Sequence, residues 1–288
     1  MQLRQLRTPL GLRIGAPLVL GVVLLAVWQG LATSGRVAAT LLPTPRAVLA
    51  RLGSDMSTGR LLGYTGVTLV EAVLGSLLAA ALALPLGYLI ARVRTLEAAA
   101  SPYLAASQAI PAIAVAPLLV LWVGYGLFPV VLLCAVLVFF PIVLSTRLGI
   151  RTLDESVVEA AALDGASGWS MLRWIELPLA RPAILTGLRN GFTVSVTGAV
   201  VGEFVMGGKG LGMVISVASG ANDTTGLFAA LVVLCLMAVA IYFALLTLEV
   251  TFDPLSAPGG HPAGPALEPE GGHPAGPALE PEGGHPAG

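Results

Sequence analysis

Arg189 and Glu203 are the residues of this sequence whose chemistry is least at home in its surroundings. They stand fourteen apart in a stretch, Arg181 to Met206, that carries no other charge after Arg181. An ionisable side chain inside an apolar helix is costly, and its default reading is a role in a solute path, an ion relay or a buried pair. On one helix the two share a face but lie about 21 Å apart along the axis, so they cannot pair with each other. Arg189, near the inner end, would attract an anion or reach the headgroups. Glu203 would stand near the outer mouth, where it is a poor ligand for an anion. The apolar body offers no catalytic set. His261, His273 and His285 all lie in the C-terminal repeat, which removes Ser–His and His–metal chemistry from the rest. Cys134 and Cys235 fall inside apolar runs, at a spacing that suits neither a metal nor a disulfide framework. The glycine-rich Gly207–Gly212, GGKGLG, lacks the spacing of a phosphate-binding loop. No catalytic residue and no metal site is expected.

The elements that must hold Arg189 and Glu203 are membrane helices. The chain is 56% hydrophobic and 11% charged, with a mean hydropathy of +0.88, against about 45–50% apolar and about 25% charged in a soluble domain. Charge-free stretches long enough to cross a bilayer recur along it. Six spans are expected, at about 14–33, 67–91, 101–122, 127–147, 182–206 and 224–248. The first has a basic lead-in but is long for a cleaved signal. With residues 1–13 inside, nine Arg or Lys fall on the inner side and five on the outer, which places both termini in the cytoplasm. Thr44 and Pro45 read as the start of a short interfacial helix in the first outer loop. In the second span Gly75, Ala79, Ala83 and Gly87 form a small-residue stripe where another helix can approach. Pro85, Pro111, Pro117 and Pro141 suggest kinks of the kind that line a cavity. Residues 251–288 repeat GGHPAGPALEPE with nothing to bury, and disorder is expected there. No basic patch points to nucleic acid.

One segment breaks the apolar pattern. EAAALDGASGWSMLRWIELP, Glu159 to Pro178, falls on the inner side between the fourth and fifth spans. It reads as two short helices. Thr152 with Glu155 has the pattern of a capping box for the first, and Asp164-Gly165 supplies its stop. Ser167 would cap the second, Pro178 would close it, and Trp169, Leu172 and Ile175 would form one apolar ridge. Ala160, Ala161 and Ala162 leave the first helix with little side-chain bulk. On residue types alone, a knob that docks into another protein and an amphipathic connector on the inner membrane surface both fit.

The spacing of Glu159, Ala160, Ala161, Gly165, Ile175, Leu177 and Pro178 resembles the signature loop of binding-protein-dependent ABC importer permeases. The likeness extends from about Leu42 to Glu249. Within it, LLPTPRAVL, ASPYLAASQAIPAIAVAPLLVLWVGYG, PAILTGLRNGFTVSVTGAVVGEF and GLGMVISVASG are similar to one branch. That branch carries nitrate, aliphatic sulfonates, taurine, bicarbonate or thiamine-precursor pyrimidines. Glu71 departs from it, since Arg is frequent near that position, and so does the tail. The resemblance implies an all-α integral membrane protein with six transmembrane helices, of the type I ABC importer permease fold. It implies loop 152–178 as the coupling element, with Glu159, Ala160, Ala161, Asp164, Gly165, Ala166, Trp169, Ile175, Leu177 and Pro178 at the contact with a cytoplasmic ATPase dimer. ATP and magnesium would sit on that ATPase and no cofactor on this chain. A second permease copy, as a homodimer in the inner membrane, and an extracytoplasmic solute-binding protein would complete the importer. An ion-coupled secondary transporter is the alternative; it would be expected to show internal repeats, and the two halves do not.

Overall fold

Apolar periodicity and glycine punctuation divide the chain into helices joined by short turns. The computed structural model describes residues 10–38, 40–107 and 111–252, and every regular element among them is helical. The repeat read as disordered lies outside the described residues. Helix α1 spans Leu10–Thr33, α2 Pro45–Ser57, α3 Arg60–Arg92, α4 Arg94–Ser107, α5 Ala112–Val123 and α6 Leu127–Arg151. Then come α7 Glu155–Leu163, α8 Gly168–Met171, a π-helical turn Leu172–Glu176, α9 Leu177–Met206, α10 Leu211–Gly220 and α11 Thr224–Phe252.

Among the described residues, α3, α6 and the Thr224–Glu249 part of α11 are each long and apolar enough to cross a membrane. Gly168–Met206 and Leu211–Gly220 qualify together as one path bent by 49°. Val19–Thr33 and Ile113–Val123 are shorter apolar helices. The stretch 101–122, expected as one span, falls on two helices, α4 and α5. Pro111 is the N-cap of the second, because its ring leaves no N–H for a continuing helix. Pro85, Pro117 and Pro141 instead sit inside α3, α5 and α6. Gly124 (φ 89°) and Gly126 (φ 135°) make the turn between α5 and α6.

The core is α3 against α6 against α9. Ala79 and Ala83 of the stripe are fully buried. A side chain on Gly75 would overlap Cys134 Cβ and come to 2.8 Å from the Val131 carbonyl; one on Gly87 would meet Thr146 Cβ at 2.8 Å. Lipid is as apolar as leucine, so it is this close packing, more than burial from water, that holds such helices together. Thr44 Oγ1 accepts from Ala47 N (3.3 Å) and starts α2. From there α2 packs on α3 and α11, where Arg51 bridges Asp55 (2.9 Å) and Asp223 (3.1 Å). The hydrogen bond to Asp55, reinforced by both carboxylates, raises the pKa of Arg51 further and keeps it charged. α1 is tied down near its end by Trp28, which donates to the Pro43 carbonyl (3.0 Å) and packs on Phe228. Much of the rest of α1, from Val19 to Leu31, presents exposed aliphatic side chains, as a lipid-facing helix would.

Candidate functional site

The insert stands apart from the packed bundle. Asp154 starts α7: its carboxylate accepts from the Ser156 backbone N–H (2.9 Å) and hydroxyl (2.8 Å). Those bonds, the hydroxyl's first, hold Asp154 below the usual carboxylate range. The expected Thr152–Glu155 capping box does not form. Thr152 belongs to the previous helix, where its hydroxyl donates back to the Leu148 carbonyl (2.9 Å), and Asp154 caps in its place. At the other end the Ala166 N–H reaches Ala161 O (2.9 Å) and Gly165 N–H reaches Ala162 O (3.0 Å). With Gly165 at φ 90° this is a Schellman stop. The rigid turn expected at Asp164-Gly165 is there.

α7 has no buried residue. Glu159, Ala160, Asp164 and Gly165 are exposed, Ala161 and Ala166 half-buried, and Leu163 is 89% exposed. Ser167 begins α8, its N–H donating to Ser170 Oγ (2.9 Å). Pro178 does not end the second helix. The chain runs from α8 through the π-turn into α9, with Pro178 in the first turn of α9. A π-turn inserts one residue, and the backbone around a proline then has room to stay helical. The same turn breaks the three-residue ridge. Trp169 and Leu172 face a cavity with Leu177, five residues on, while Ile175 is not among its lining residues. Trp169 (74%), Trp174 (71%), Leu177 and Pro178 remain exposed.

Two ionic joints tie this end of the bundle together. Glu97, in the first turn of α4, receives Arg147 (2.5 Å) and Arg151 from the end of α6. Glu176, the last residue of the π-turn, pairs with Arg92, the last residue of α3. Neither joint was read from sequence. Their partners are 50 to 84 residues apart and nothing local marks them.

Arg189 and Glu203 come to rest on different neighbours. Arg189 binds Glu249 of α11 (2.9 Å) and lies over the Tyr242 ring (5.1 Å). Glu203 is fully buried; its two oxygens accept from Thr68 Oγ1 (2.7 Å) and from the Gly212 N–H (2.5 Å). Thr68 Oγ1 also accepts from the Leu211 N–H (2.8 Å). The start of α10 is thus capped by side chains of α9 and α3. Glu71, one turn along from Thr68 on α3, is buried as well. The glycines of GGKGLG acquire a reason here. Side chains at Gly208, Gly210 or Gly212 would run into Glu203, so the run is a sleeve around that carboxylate. A period of two in those glycines is the signal that could have shown it. At the end of the bundle away from α7, a cavity of about 370 Å³ opens between α2, α3, α10 and α11, lined by Arg51, Arg60, Tyr64, Val217 and Asp223.

The bundle and its exposed loop match known proteins. Residues 83–254 match the family model described as the binding-protein-dependent transport system inner membrane component. The chain belongs to that family of ABC importer permeases. It is 44% identical over 229 residues, 80% of this chain and 85% of the other, to the riboflavin transport system permease protein RibX of Chloroflexus aurantiacus. It is 32% identical over 216 residues, 75% of this chain and 78% of the other, to the putative aliphatic sulfonates transport permease protein SsuC of Bacillus subtilis. Its fold matches an inward-facing MetNI methionine ABC transporter, with a TM-score of 0.62 at 20% identity over 68% of this chain and 98% of that one. An ABC importer permease is an integral membrane transport subunit, which sets the ion-coupled alternative aside.

Proposed function

We propose that this permease is the membrane subunit of an ATP-driven importer, with loop 152–178 seated in a groove of a cytoplasmic ATPase. The observation that carries the reading is α7 itself. It is a short helix with no buried residue and three consecutive alanines, closed by the Gly165 turn, after which α8 runs through the π-turn into α9 without a break. A rigid handle of that kind passes motion to a helix without any chemistry of its own. Two ATPase copies would bind ATP and magnesium, and this chain would bind neither. A second copy of the chain would complete the pathway as a homodimer in lipid. A solute-binding protein would deliver cargo on the outer face, with both termini on the inner side of the inner (plasma) membrane.

For the cargo, we infer a small organic or anionic solute of the kinds named for its relatives. The relative at 44% identity makes riboflavin the first to test, ahead of aliphatic sulfonates. We read Arg189 and Glu203 as struts that hold α11 and α10 in place, since Arg189 pairs with Glu249 and both carboxylate oxygens of Glu203 are engaged by neighbours in this chain. The test is to purify the tagged chain from membranes in mild detergent. An ATPase subunit is expected to co-purify. Ala161→Glu should release it while the permease keeps its melting temperature. Retention of the ATPase by Ala161→Glu would refute the seat. Flavin fluorescence quenching by the companion solute-binding protein decides the first cargo candidate.

A further inference from the structure

The coupling loop is covalently continuous with α9, but α3 lies across a gap from it. A cavity of about 420 Å³ separates Trp169 and Leu172 of the loop from Leu84, Pro85 and Tyr88 of α3. Side chains facing each other over a void lack the contacts that would pass a push. Glu176 and Arg92 bridge the two elements. Glu176 is 2% exposed, Arg92 is 39% exposed, and the second carboxylate oxygen of Glu176 is buried without another protein partner. Arg92 also ends α3, where a cation is favoured by the helix dipole.

We propose that Arg92 and Glu176 are the positioning pair that makes α3 follow the coupling loop. Motion of α7 and α8 then reaches the bundle at two points: through the chain into α9, and through this ion pair into the inner end of α3. Because the glycine and alanine stripe locks α3 onto α6, the second point carries α6 as well. A π-turn offsets the loop from the register of α9 by one residue, so the loop need not present the same face as α9. The ion pair fixes the orientation that the turn leaves open. This inference rests on the reading of loop 152–178 as the ATPase seat.

The test uses the full chain in nanodiscs with its co-purified ATPase, after replacement of Cys134 and Cys235 by serine. Spin labels are placed at Val157→Cys on α7 and Val93→Cys just past α3, both exposed positions. In the chain with Arg92 and Glu176 intact, the two labels should give one narrow distance peak that does not shift between the nucleotide-free and the ATP–vanadate states. In Glu176→Gln the peak should broaden and shift on trapping. The charge exchange Arg92→Glu with Glu176→Arg should restore the narrow peak, and Arg92→Glu alone should not. Arg92→Gln changes a half-exposed position, so it must show the same broadening even if Glu176→Gln folds poorly. A pair that only stabilised the fold would lower the melting temperature and leave the peak unmoved. A narrow peak in Arg92→Gln, or a peak that moves while the pair is intact, overturns the proposal. Failure of the unaltered chain to capture an ATPase would overturn the functional reading instead, and this inference with it.

Discussion

Thr68→Val removes one oxygen from the joint between α3, α9 and α10 and leaves its shape intact. That hydroxyl donates to Glu203 at 2.7 Å and accepts from the Leu211 N–H at 2.8 Å, in a fully buried position. Valine has nearly the same volume, so no cavity opens. What is lost is two hydrogen bonds, and what remains is a buried carboxylate oxygen and a helix N-terminal N–H, each short of a partner. Each such orphan costs about 1–3 kcal/mol. The expected loss is therefore about 2–4 kcal/mol, the lower half of the simple total, because Glu203 keeps its bond to Gly212. Thr65→Val is the internal control. Its hydroxyl donates only to Leu61, in its own helix, at 2.7 Å. Replacement there should stay within about 0.5 kcal/mol. Unfolding in mixed detergent and SDS micelles reads both values. Equal effects at Thr65 and Thr68 would refute the reasoning, since they would show that α10 is not held through the Thr68–Glu203 contact.

Gly75→Ala forces a Cβ against Cys134 and the Val131 carbonyl; it should cost about 1–3 kcal/mol in the same titration, net of the small helix-propensity gain. Glu249→Gln leaves Arg189 with its ion partner gone and should cost about 3–5 kcal/mol, whereas Arg189→Leu combined with Glu249→Leu should recover most of it. The cap of α7 should depend on pH. Asp154 is held below its ordinary range in the folded chain, so its contribution is complete above about pH 4 and fades as the pH falls through the lowered value. Hydrogen exchange of the first turn of α7, corrected for intrinsic rate, should accelerate on acidification, and Asp154→Ala should show the fast rate already at pH 7.

Local signals in this chain were legible and distant ones were not. The stripe Gly75, Ala79, Ala83, Gly87 has a period of four, so its burial against α6 follows from helix geometry. Asp164-Gly165 announces a left-handed stop, and Thr44-Pro45 a helix start, through the chemistry of those residues alone. Pro178 carries an equally strong local signal and points the wrong way, because no residue pattern announces the π-turn that accommodates it. Thr152 and Asp154 are both good caps two residues apart, and only the length of α6 decides between them. Pro111 marked the break between α4 and α5, but continuous hydropathy masked it. The ion pairs of Glu97, Glu176 and Arg189 join helices far apart in sequence. Arg189 reads alone as a charge in an apolar run and the others as charges near helix ends, and only the packing of α3, α4, α6, α9 and α11 brings the pairs together.

The central claim is that α7 and its Gly165 turn are where an ATPase grips this permease. A photo-crosslinking amino acid at Leu163, which is 89% exposed beside that turn, tests it directly. Tyr125, 83% exposed in the turn between α5 and α6, is the opposite-face control. Irradiation of membranes should join Leu163 to an ATPase subunit and leave Tyr125 free of it. No ATPase adduct at Leu163, or an adduct at Tyr125, would contradict the account.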